Sequence, residues 1–509
     1  MRPGPRIGVI GGLFLAALTL QWGGLQSVAT ADGIAYIIGG VNLVRTGHFT
    51  SPFGTPEDWF PPIYPLLIGV LSLGGRIDPM LVGRLISAVN GLATVVLVWW
   101  CLRTHPAPAA APAIAAIALA GNASHQLLSS STMSNATATM LAFAAFVTWL
   151  GGHETAGVAR SGLLGLLAGL SYLVRPEAVV LLPLWAIADG YSLGIKAFVK
   201  RYAVACTVTA AVMLPYIVYL HEVTGRWTIS NKSEVNLVGG RAAYYGGPRE
   251  YINPDSLEMG YYRYDVTPRA EALRYLHNWR LIGQAYAAIY RPPVGGGLLL
   301  CAAVGAADLL ARRRWRLLWG LLVQFAYLPV LAYYVVSPGY LHATLPALSV
   351  LIGFGLANLV GLALSAGAHR AARLAAGVVV LWGLLGLTES WTRYPRWGLT
   401  APPPAKGLLR EAGLRFAAKG LPGGFMYESG ATVGYYAGLR RGRIPEANDL
   451  ATLVRYIRSH HRGPVYMALT TQERYPPSLE ELLRSDAPPF DVVLALEDRR
   501  GRVVVYRVQ

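Results

Sequence analysis

Long apolar runs separated by short polar segments fill the first 392 residues of this 509-residue chain. A helix needs about 20 apolar residues to cross a bilayer, and most of the runs approach that length. They predict about 11 transmembrane helices, near residues 7–28, 79–101, 107–123, 134–150, 161–173, 177–190, 202–220, 293–310, 317–336, 340–363 and 374–390. The shorter apolar stretch 62–73 predicts an interfacial or re-entrant helix.

The pattern changes after residue 392, where a proline-rich segment at 401–404 leads into shorter elements. Helices are predicted at 407–418, 450–460 and 478–485, the last with Ser478 as its N-cap, and strands at 424–428, 464–469, 492–496 and 503–508. This alternation predicts a small α/β domain. We therefore expect a membrane domain at 1–392 and a soluble α/β domain at 393–509. The tail has no glycine-rich phosphate loop and no paired catalytic carboxylates, which favours binding or shielding over catalysis.

Composition and charge agree with an α-helical polytopic membrane protein. Of the residues, 54% are hydrophobic and only 14% are charged, a low charge content for a soluble protein. Cytoplasmic loops carry an excess of Lys and Arg. With the N-terminus inside, the short outer loops contain only Arg45, Arg76 and Arg175, whereas the inner loops contain Arg2, Arg6, Arg103, Arg160, Lys196, Lys200, Arg201, Arg312, Arg313, Arg314, Arg316, Arg370 and Arg373.

This asymmetry places three segments outside: the loop around Asp32, the long loop 221–292 and the C-terminal domain. It also explains part of the net charge of +17, so that charge does not indicate a nucleic-acid partner. The N-terminus allows a second interpretation, because a basic start, an apolar core and Ala29-Thr30-Ala31 resemble a signal peptide with its cleavage site. The first apolar run is long for a signal peptide, which favours a retained span.

The long outer loop 221–292 is dense in aromatic residues, which stack on sugar faces and also anchor at lipid headgroups. Loops of this length are often functional lids. The alternative is a pair of interfacial helices that packs on the membrane domain. The aromatic residues are Trp227, Tyr244, Tyr245, Tyr251, Tyr261, Tyr262, Tyr264, Tyr275 and Trp279.

Asp32 follows the first predicted span directly, at the outer membrane surface. A carboxylate in this position can act on a lipid-borne substrate without the cost of burial in hydrocarbon. Aspartate is also a favoured N-cap residue, and a helical run at 34–43 follows, so Asp32 is a candidate cap as well. The two roles are compatible.

Further charged residues occur in the outer loops. Glu57 and Asp58 are either simply solvated, or held in a fixed position by the stiff Pro61-Pro62 that follows them. In the second case one of them would form a carboxylate pair with Asp32. Arg175 at the end of a span either pairs with Glu177 or binds a phosphate, for which its planar donor fork is suited. Lys232 is either solvated or a second phosphate contact.

Taken together, these motifs resemble the GT-C class of membrane glycosyltransferases, and within it the branch of protein O-mannosyltransferases and lipid A aminoarabinose transferases. Asp-Gly-Ile-Ala-Tyr at 32–36 and Phe-Pro-Pro-Ile-Tyr-Pro at 60–65 resemble the first-loop motifs of that class. Leu-Val-Arg-Pro-Glu at 173–177 resembles a segment that carries Arg-Pro-Glu or Lys-Gly in relatives. The stretch 225–232 resembles one that often ends in Ser-Gly-Lys.

The resemblance implies a polyprenyl-phosphate-linked sugar as donor, inversion at the anomeric carbon, Asp32 as catalytic base and Arg175 as a phosphate ligand. The chain departs from the class at three positions. Phe60 replaces a common Lys, Asn135 replaces the Glu of a Ser-Glu pair, and Gly339 replaces the Arg of Arg-Tyr-Leu. The first and third departures remove cations, which leaves Arg175 and Lys232 to bind the phosphate. The second removes an acid that could hold a metal.

The sequence therefore predicts an integral-membrane inverting glycosyltransferase on the outer face of a prokaryotic inner membrane, with a lipid, glycan or protein acceptor. We expect Asp32 to be catalytic, and Glu57, Asp58, Tyr64, Arg175, Lys232 and His221 to bind substrate. No cofactor is certain, and a divalent metal ion stays an open alternative. The partners are the lipid-linked donor, the acceptor and membrane lipids, without nucleic acid. A non-enzymatic transporter or flippase of lipid-linked sugars, and a glycan ligase or polymerase, are the alternatives.

Overall fold

The computed structural model describes residues 30–152, 157–290, 294–334, 338–371, 404–444, 448–473, 475–485, 487–499 and 501–509, with Gly12, Val336, Leu374 and Gly377 as single further positions. Helices dominate these ranges up to residue 371, and a five-stranded sheet with flanking helices follows from residue 404. The predicted combination of a helical membrane protein and a C-terminal α/β unit is confirmed. Apart from single positions, the spans predicted at 7–28 and 374–390 lie outside the described residues.

The helices up to residue 371 are α1 (Ala31–Thr46), α2 (Ile63–Leu71), α3 (Pro79–Thr104), α4 (Ala111–Ala120), α5 (Ala123–Ser129), α6 (Asn135–Leu150), α7 (Val158–Tyr172), α8 (Leu181–Ser192), α9 (Ile195–Thr224), α10 (Lys232–Tyr245), α11 (Pro268–Ile289), α12 (Val294–Ala311), α13 (Trp315–Val323), α14 (Tyr327–Tyr333) and α15 (Leu345–Ser365). A hairpin of β1 (Glu250–Ile252) and β2 (Met259–Tyr261) lies between α10 and α11. Short 3₁₀ turns occupy Pro176–Val180, Gln324–Ala326 and Pro338–Thr344.

Within the described ranges, four helical segments are long and apolar enough to cross a membrane: Pro79–Thr104, Ile195–Thr224, Trp315–Tyr333 and Gly339–Ser365. Shorter apolar helices occur at Ala111–Ala120, Asn135–Leu150, Val158–Tyr172 and Gly296–Ala311. Two predicted spans are interrupted for local reasons. The span at 107–123 breaks where Asn122 caps a new helix by accepting a hydrogen bond from the His125 N–H at 3.1 Å. The span at 177–190 begins as a 3₁₀ turn after Arg175, which is extended, as a residue before proline tends to be.

The first loop that the charge pattern assigns to the outer side contains two helices that cross at glycines. A Cβ atom on Gly40 of α1 would lie 1.9 Å from the Pro65 carbonyl oxygen, so only glycine allows this close approach to α2. The N-cap of α1 is Thr30, whose hydroxyl accepts a hydrogen bond from the Gly33 N–H at 3.0 Å. The capping role considered for Asp32 is therefore wrong: Thr30 starts the helix two residues earlier, and Asp32 lies in its first turn.

The long outer loop contains a pair of helices, as the second interpretation of its aromatic sequence predicts. Helix α11 packs on α14. Arg274 is fully buried there and donates a 2.6 Å hydrogen bond to the Tyr333 carbonyl, and Asn278 donates one of 2.8 Å to the Ala332 carbonyl. Glu271 accepts from both Arg241 and Arg274, which joins α10 to α11. The loop is thus a folded unit fixed to the membrane helices.

The C-terminal unit contains helices α16 (Pro404–Ala418), α17 (Thr432–Tyr436), α18 (Leu450–His460) and α19 (Pro477–Arg484), with strands β3 (Phe425–Glu428), β4 (Arg440–Arg443), β5 (Val465–Thr470), β6 (Asp491–Asp498) and β7 (Gly501–Arg507). The sheet order is β4-β3-β5-β7-β6, with β3 parallel to β4 and β5 and with β7 antiparallel to its neighbours. The predicted helices and strands are confirmed. The N-cap role of Ser478 is wrong, because α19 begins at Pro477 and the Ser478 hydroxyl accepts instead from the Leu450 N–H at 3.0 Å.

The C-terminal unit docks on both outer loops. Arg443 Nη1 lies 2.7 Å from Glu250 Oε1 in the long-loop hairpin, and the Arg443 guanidinium lies 5.7 Å from the centre of the Trp59 ring in the first loop. The Asn448 side chain bonds both backbone groups of Ile252. Ala431 packs into the apolar cluster formed by α1 and α2. The first loop, the long loop and the C-terminal unit therefore share one side of the molecule.

A buried ionic cluster marks the other end of α8, away from Arg175. Asp189 is fully buried and accepts hydrogen bonds from Trp149 Nε1 at 3.0 Å and from the Tyr202 hydroxyl at 2.9 Å. It also forms ion pairs with Arg201 at 3.3 Å and with Arg316 at 2.7 Å. Both arginines belong to the segments that the charge pattern assigns to the inner side, so those segments converge on one residue.

Candidate active site

Asp32 and Arg175 converge on the side chain of Tyr36. Tyr36 is 5% exposed, and its hydroxyl forms a 3.1 Å hydrogen bond with Ser134 Oγ. Burial raises the pKa of Tyr36 well above its ordinary value, the negative charge of Asp32 raises it further, and the positive charge of Arg175 lowers it. Asp32 lies four residues before Tyr36, one turn earlier in α1. Arg175 is connected to Tyr36 through neighbouring residues, because it lies on the ring of Tyr340, and Gly339 bonds Asn135, which follows the Ser134 that bonds Tyr36. Asp32 itself is only half-buried, so its carboxylate is accessible to a substrate.

Arg175 lies near Glu177, two residues later in the sequence, and on the ring of Tyr340. Its Nη2 lies 3.8 Å from Glu177 Oε1, which is too long for a hydrogen bond. The guanidinium carbon lies 4.4 Å from the centre of the Tyr340 ring, a cation–π geometry. The side chain is 16% exposed. The contact with Tyr340 fixes the guanidinium but leaves its fork of N–H donors able to bind an anion.

Asp58 and Lys232 join the first loop to the beginning of the long loop. Asn231 Nδ2 donates a 2.6 Å hydrogen bond to Asp58 Oδ2. The next residue, Lys232, places its ammonium nitrogen 4.0 Å from the centre of the Phe60 ring. Phe60 in turn lies edge-to-face against Tyr36, with 4.8 Å between ring centres. Lys232 is thereby brought to the same aromatic pair that Asp32 and Arg175 surround.

Glu57 is directed inward and shapes the first loop. Its Oε1 accepts hydrogen bonds from the Trp59 N–H at 2.9 Å and the Phe60 N–H at 3.1 Å, and the residue is 3% exposed. Burial raises the pKa of Glu57 to about 7, against the opposing effect of the two N–H donors. This position favours a role in holding the turn before Pro61, rather than the predicted contact with substrate.

Two other residues predicted to bind substrate, Tyr64 and His221, have surroundings that favour structural roles. Tyr64 is fully buried, and its hydroxyl bonds the Gly83 carbonyl at 2.9 Å and Ser87 Oγ at 3.0 Å. Its ring lies 5.1 Å from that of Tyr36, so it supports Tyr36 from within the core. His221 lies in the last turn of α9 and stacks on Trp227 at a ring distance of 4.1 Å. It therefore helps to order the start of the long loop.

A small cavity with polar groups in its wall lies beside Arg175. Its enclosed volume is ≈ 20 Å³, and its walls include Asn135, Thr139, Glu177, Tyr340 and His342. Asn135 Nδ2 donates a 2.6 Å hydrogen bond to the Gly339 carbonyl. Asn135 and Gly339 are two of the three positions at which the chain departs from the sequence pattern it resembles. In this structure the two departures are direct neighbours and are joined by a neutral hydrogen bond.

A buried histidine pair extends from the same cavity, and no local sequence pattern predicts it. His125 Nδ1 lies 2.8 Å from His342 Nε2, with the two rings stacked. His342 Nδ1 bonds Thr139 Oγ1 at 3.0 Å, and His125 Nε2 bonds the Gly91 carbonyl at 3.2 Å. The two residues are 217 positions apart in the sequence, so only the folded chain reveals the pair.

A bound metal ion needs several ligand side chains close together. Among the residues that the structure describes, no three His, Cys, Asp or Glu side chains come together in a way that could hold one. Glu57 is committed to backbone N–H groups, and Asp58 to Asn231. Glu57 and Asp58 therefore do not fit a metal site.

Solved structures show which fold this arrangement belongs to. No family model and no curated protein matches the sequence. ArnT from Cupriavidus metallidurans bound to undecaprenyl phosphate matches with a TM-score of 0.62 at 14% identity, over 99% of this chain and 98% of that one. Its apo form gives a TM-score of 0.64 at 13% identity, with the same coverage.

The oligosaccharyltransferase of Archaeoglobus fulgidus, solved with zinc and sulfate, matches with a TM-score of 0.56 at 14% identity, over 89% of this chain and 67% of that one. The chain has the GT-C glycosyltransferase fold. The predicted resemblance is thereby confirmed at the level of the fold. Within this GT-C fold, Asp32, Arg175 and Lys232 surround the aromatic pair of Tyr36 and Phe60 on the side that carries the C-terminal unit.

Proposed function

We propose that the protein is an inverting glycosyltransferase that transfers a sugar from a polyprenyl-phosphate donor to a lipid, glycan or protein acceptor. The proposal places the site on the outer face of a prokaryotic inner membrane, with the C-terminal domain extracytoplasmic. The whole-chain similarity to an ArnT structure bound to undecaprenyl phosphate supports this class of donor. The distribution of Lys and Arg between the short loops supports the orientation.

The observation that carries the proposal is the convergence of one accessible carboxylate and two cations on a single aromatic pair. Asp32 lies one helical turn before Tyr36, Arg175 lies on the ring of Tyr340, and Lys232 lies on the ring of Phe60, which contacts Tyr36. Transfer from a phospholipid-linked sugar needs a base for the acceptor and positive charge for the leaving phosphate. The three side chains provide both.

In the proposed reaction, the acceptor oxygen attacks the anomeric carbon and loses its proton to the Asp32 carboxylate. The bond between the anomeric carbon and the phosphate oxygen breaks, and the electron pair leaves with the polyprenyl phosphate. Arg175 and Lys232 stabilise the negative charge that develops on the leaving group. Attack from the face opposite the phosphate inverts the configuration at the anomeric carbon. The proton ends on Asp32, the sugar on the acceptor and the phosphate on the polyprenyl carrier, so the reaction needs no further reactant.

The direct test is a comparison of envelope lipids and glycans, by mass spectrometry, from cells with and without the protein. Loss of a sugar-modified lipid, glycan or protein, together with accumulation of its sugar-free form, is the expected result. Purified protein should then transfer the same sugar from an extracted polyprenyl-phosphate donor. If the protein moves the lipid-linked sugar across vesicle membranes but transfers none, it is a transporter and the proposal fails.

A further inference from the structure

Among the residues that the structure describes, two buried hydrogen-bond acceptors in the cavity beside Arg175 have no partner. Asn135 is 3% exposed; its Nδ2 is committed to Gly339, and its Oδ1 accepts no hydrogen bond from any described residue. Glu177 Oε2 is likewise buried without a partner, while its Oε1 faces Arg175. A buried acceptor left unsatisfied loses its hydrogen bonds to water without replacement, which destabilises the protein. Two such oxygens in the wall of one cavity therefore indicate a ligand that supplies donors.

Size and charge restrict what this ligand is. The enclosed part of the cavity is ≈ 20 Å³, which is room for roughly one water-sized group. The cation in the wall, Arg175, is paired only loosely with Glu177, at 3.8 Å. The site thus combines acceptors for one small donor group with a guanidinium suited to a neighbouring anion. A hydroxyl group on a sugar whose anomeric oxygen carries a phosphate has this chemistry.

Resting on the proposed function, we infer that Asn135 and Glu177 form the specificity subsite of the donor, in which one hydroxyl or hydroxymethyl group of the sugar enters the cavity and shares its single proton between Asn135 Oδ1 and Glu177 Oε2 in a bifurcated hydrogen bond. The sugar ring itself stays outside the enclosed space. Tyr36 connects this subsite to the base, because its hydroxyl bonds Ser134, the residue before Asn135, and senses the charge of Asp32. The alternative occupant is a water molecule, which would satisfy the same acceptors without selecting a sugar.

Binding assays with lipid phosphates that carry or lack a sugar distinguish a sugar group from a water molecule in the cavity. The probes are farnesyl phosphate and a panel of farnesyl-phosphoryl hexoses and pentoses, measured on the full-length protein without acceptor. We expect at least one sugar-bearing lipid to bind more tightly than farnesyl phosphate. Asn135→Ala should weaken only the sugar-bearing lipid, by about 3- to 10-fold for one lost neutral hydrogen bond, and Glu177→Gln should weaken it by about 10-fold. Farnesyl phosphate should bind Asn135→Ala as tightly as the wild type, and it should bind Glu177→Gln no more weakly, because that change removes a negative charge beside Arg175.

Two controls make the result specific. Asn358 in α15 also has a buried amide nitrogen without a partner but does not line the cavity, so Asn358→Ala should change neither affinity. A deoxy analogue that lacks the selected hydroxyl should bind wild type at least as weakly as the parent sugar-lipid binds Asn135→Ala, because it loses the contacts to both acceptors, and Asn135→Ala should not weaken it further.

The inference fails if no sugar-bearing lipid is preferred over farnesyl phosphate, or if the variants weaken both lipids equally. The cavity then contains water only, or its residues serve folding. Selective binding without sugar transfer in any assay would support the subsite and refute the proposed enzymatic function. Sugar transfer that neither variant affects would support the enzymatic function and refute the subsite.

Discussion

The ammonium nitrogen of Lys232 lies 4.0 Å from the centre of the Phe60 ring, although the two residues belong to different outer loops. Phe60 occupies the position at which many members of the class carry a lysine before Pro-Pro. In this chain the cation comes from the long loop instead. The Lys232 ammonium group lies on the ring of Phe60, the residue that stands in place of that lysine. Asn231, bonded to Asp58 at 2.6 Å, fixes the backbone next to Lys232.

We expect Phe60 to act on the donor through Lys232. Lys232→Ala should reduce kcat/KM by about 10- to 100-fold, the effect of losing a charged hydrogen-bond donor. Phe60→Leu should raise the KM for the donor by a few-fold with little change in kcat, since a cation–π contact contributes about 0.5–2 kcal/mol. Phe60→Tyr keeps the aromatic face and should restore the wild-type KM. Arg226→Ala is the control, because this arginine is in the same loop and is 78% exposed. Equal effects of Phe60→Leu and Phe60→Tyr would contradict the positioning role.

Asp32 is expected to be essential for turnover. Asp32→Asn preserves size and removes the basic carboxylate, so activity should fall by about 10²- to 10⁴-fold. Because Thr30 caps α1, the substitution leaves the helix start intact and expression should stay normal. Asp255→Asn, at an exposed acid of the long loop, is the matched control. Near-wild-type turnover in Asp32→Asn would refute its role as the base.

Arg175 is expected to bind the donor phosphate rather than only to pair with Glu177. Its 3.8 Å separation from Glu177 and its 4.4 Å contact with Tyr340 favour this role. Arg175→Lys should reduce kcat/KM by about 10- to 100-fold, because an ammonium group does not replace a two-pronged contact. The double exchange Arg175→Glu with Glu177→Arg separates the two roles. Its activity should stay low, and a fully active double variant would show that the pair is structural.

Much of this arrangement follows from local sequence, and the remainder depends on tertiary contacts. The apolar runs and the alternation of the tail predict the helices and most strands, because each element must bury its own apolar face. Strand β4 is missed since its sequence, Arg-Arg-Gly-Arg at 440–443, has no apolar periodicity and lies at the edge of the sheet.

The same limit applies to the site. Motif order identifies Asp32 and Arg175, which lie at the ends of local elements. The cavity residue His342 and its partner His125 are separated by 217 positions, and Asn135 and Gly339 by 204, so that no local pattern connects them. The capping role of Thr30 is missed for another reason: Thr30 and Asp32 are both favoured caps, and only the backbone shows where the helix begins.

The buried carboxyl of Glu57 should make stability depend on pH. Its pKa is raised from 4.5 to about 7 in the folded protein. The folded state therefore holds more protons than the unfolded state between about pH 4.5 and 7, and the free energy of unfolding falls as the pH rises through this window. At about 1.4 kcal/mol per pH unit, the loss amounts to about 3 kcal/mol. Glu57→Gln keeps an acceptor oxygen for the Trp59 and Phe60 N–H groups and should remove this loss.

Thermal unfolding in detergent at pH 5 and pH 8 measures the effect. The wild type should lose more stability between the two than Glu57→Gln does. Glu428 in the C-terminal unit, whose pKa burial also raises to about 7, contributes in the same direction, so part of the dependence should persist in the single variant. Exposed Glu258→Gln should leave the profile unchanged. Identical pH profiles of wild type and Glu57→Gln would show that Glu57 is ionised freely.

The orientation of the chain underlies every role proposed for the site. The C-terminal unit bonds the long loop through Arg443 and Glu250, and Ala431 packs against the first loop, so the three segments must lie on one side. The inner-side arginines Arg201 and Arg316 meet at Asp189 near the opposite end of α8. Short-loop cations orient spans, whereas long domains contribute little. A reporter that is active only outside the cytoplasm should therefore be active after Gln509 and silent after Arg314. The reverse pattern would place the tail inside and require an even number of spans. The short predicted span 161–173 would then be the first to be withdrawn, and Arg175 would lose its place in the site.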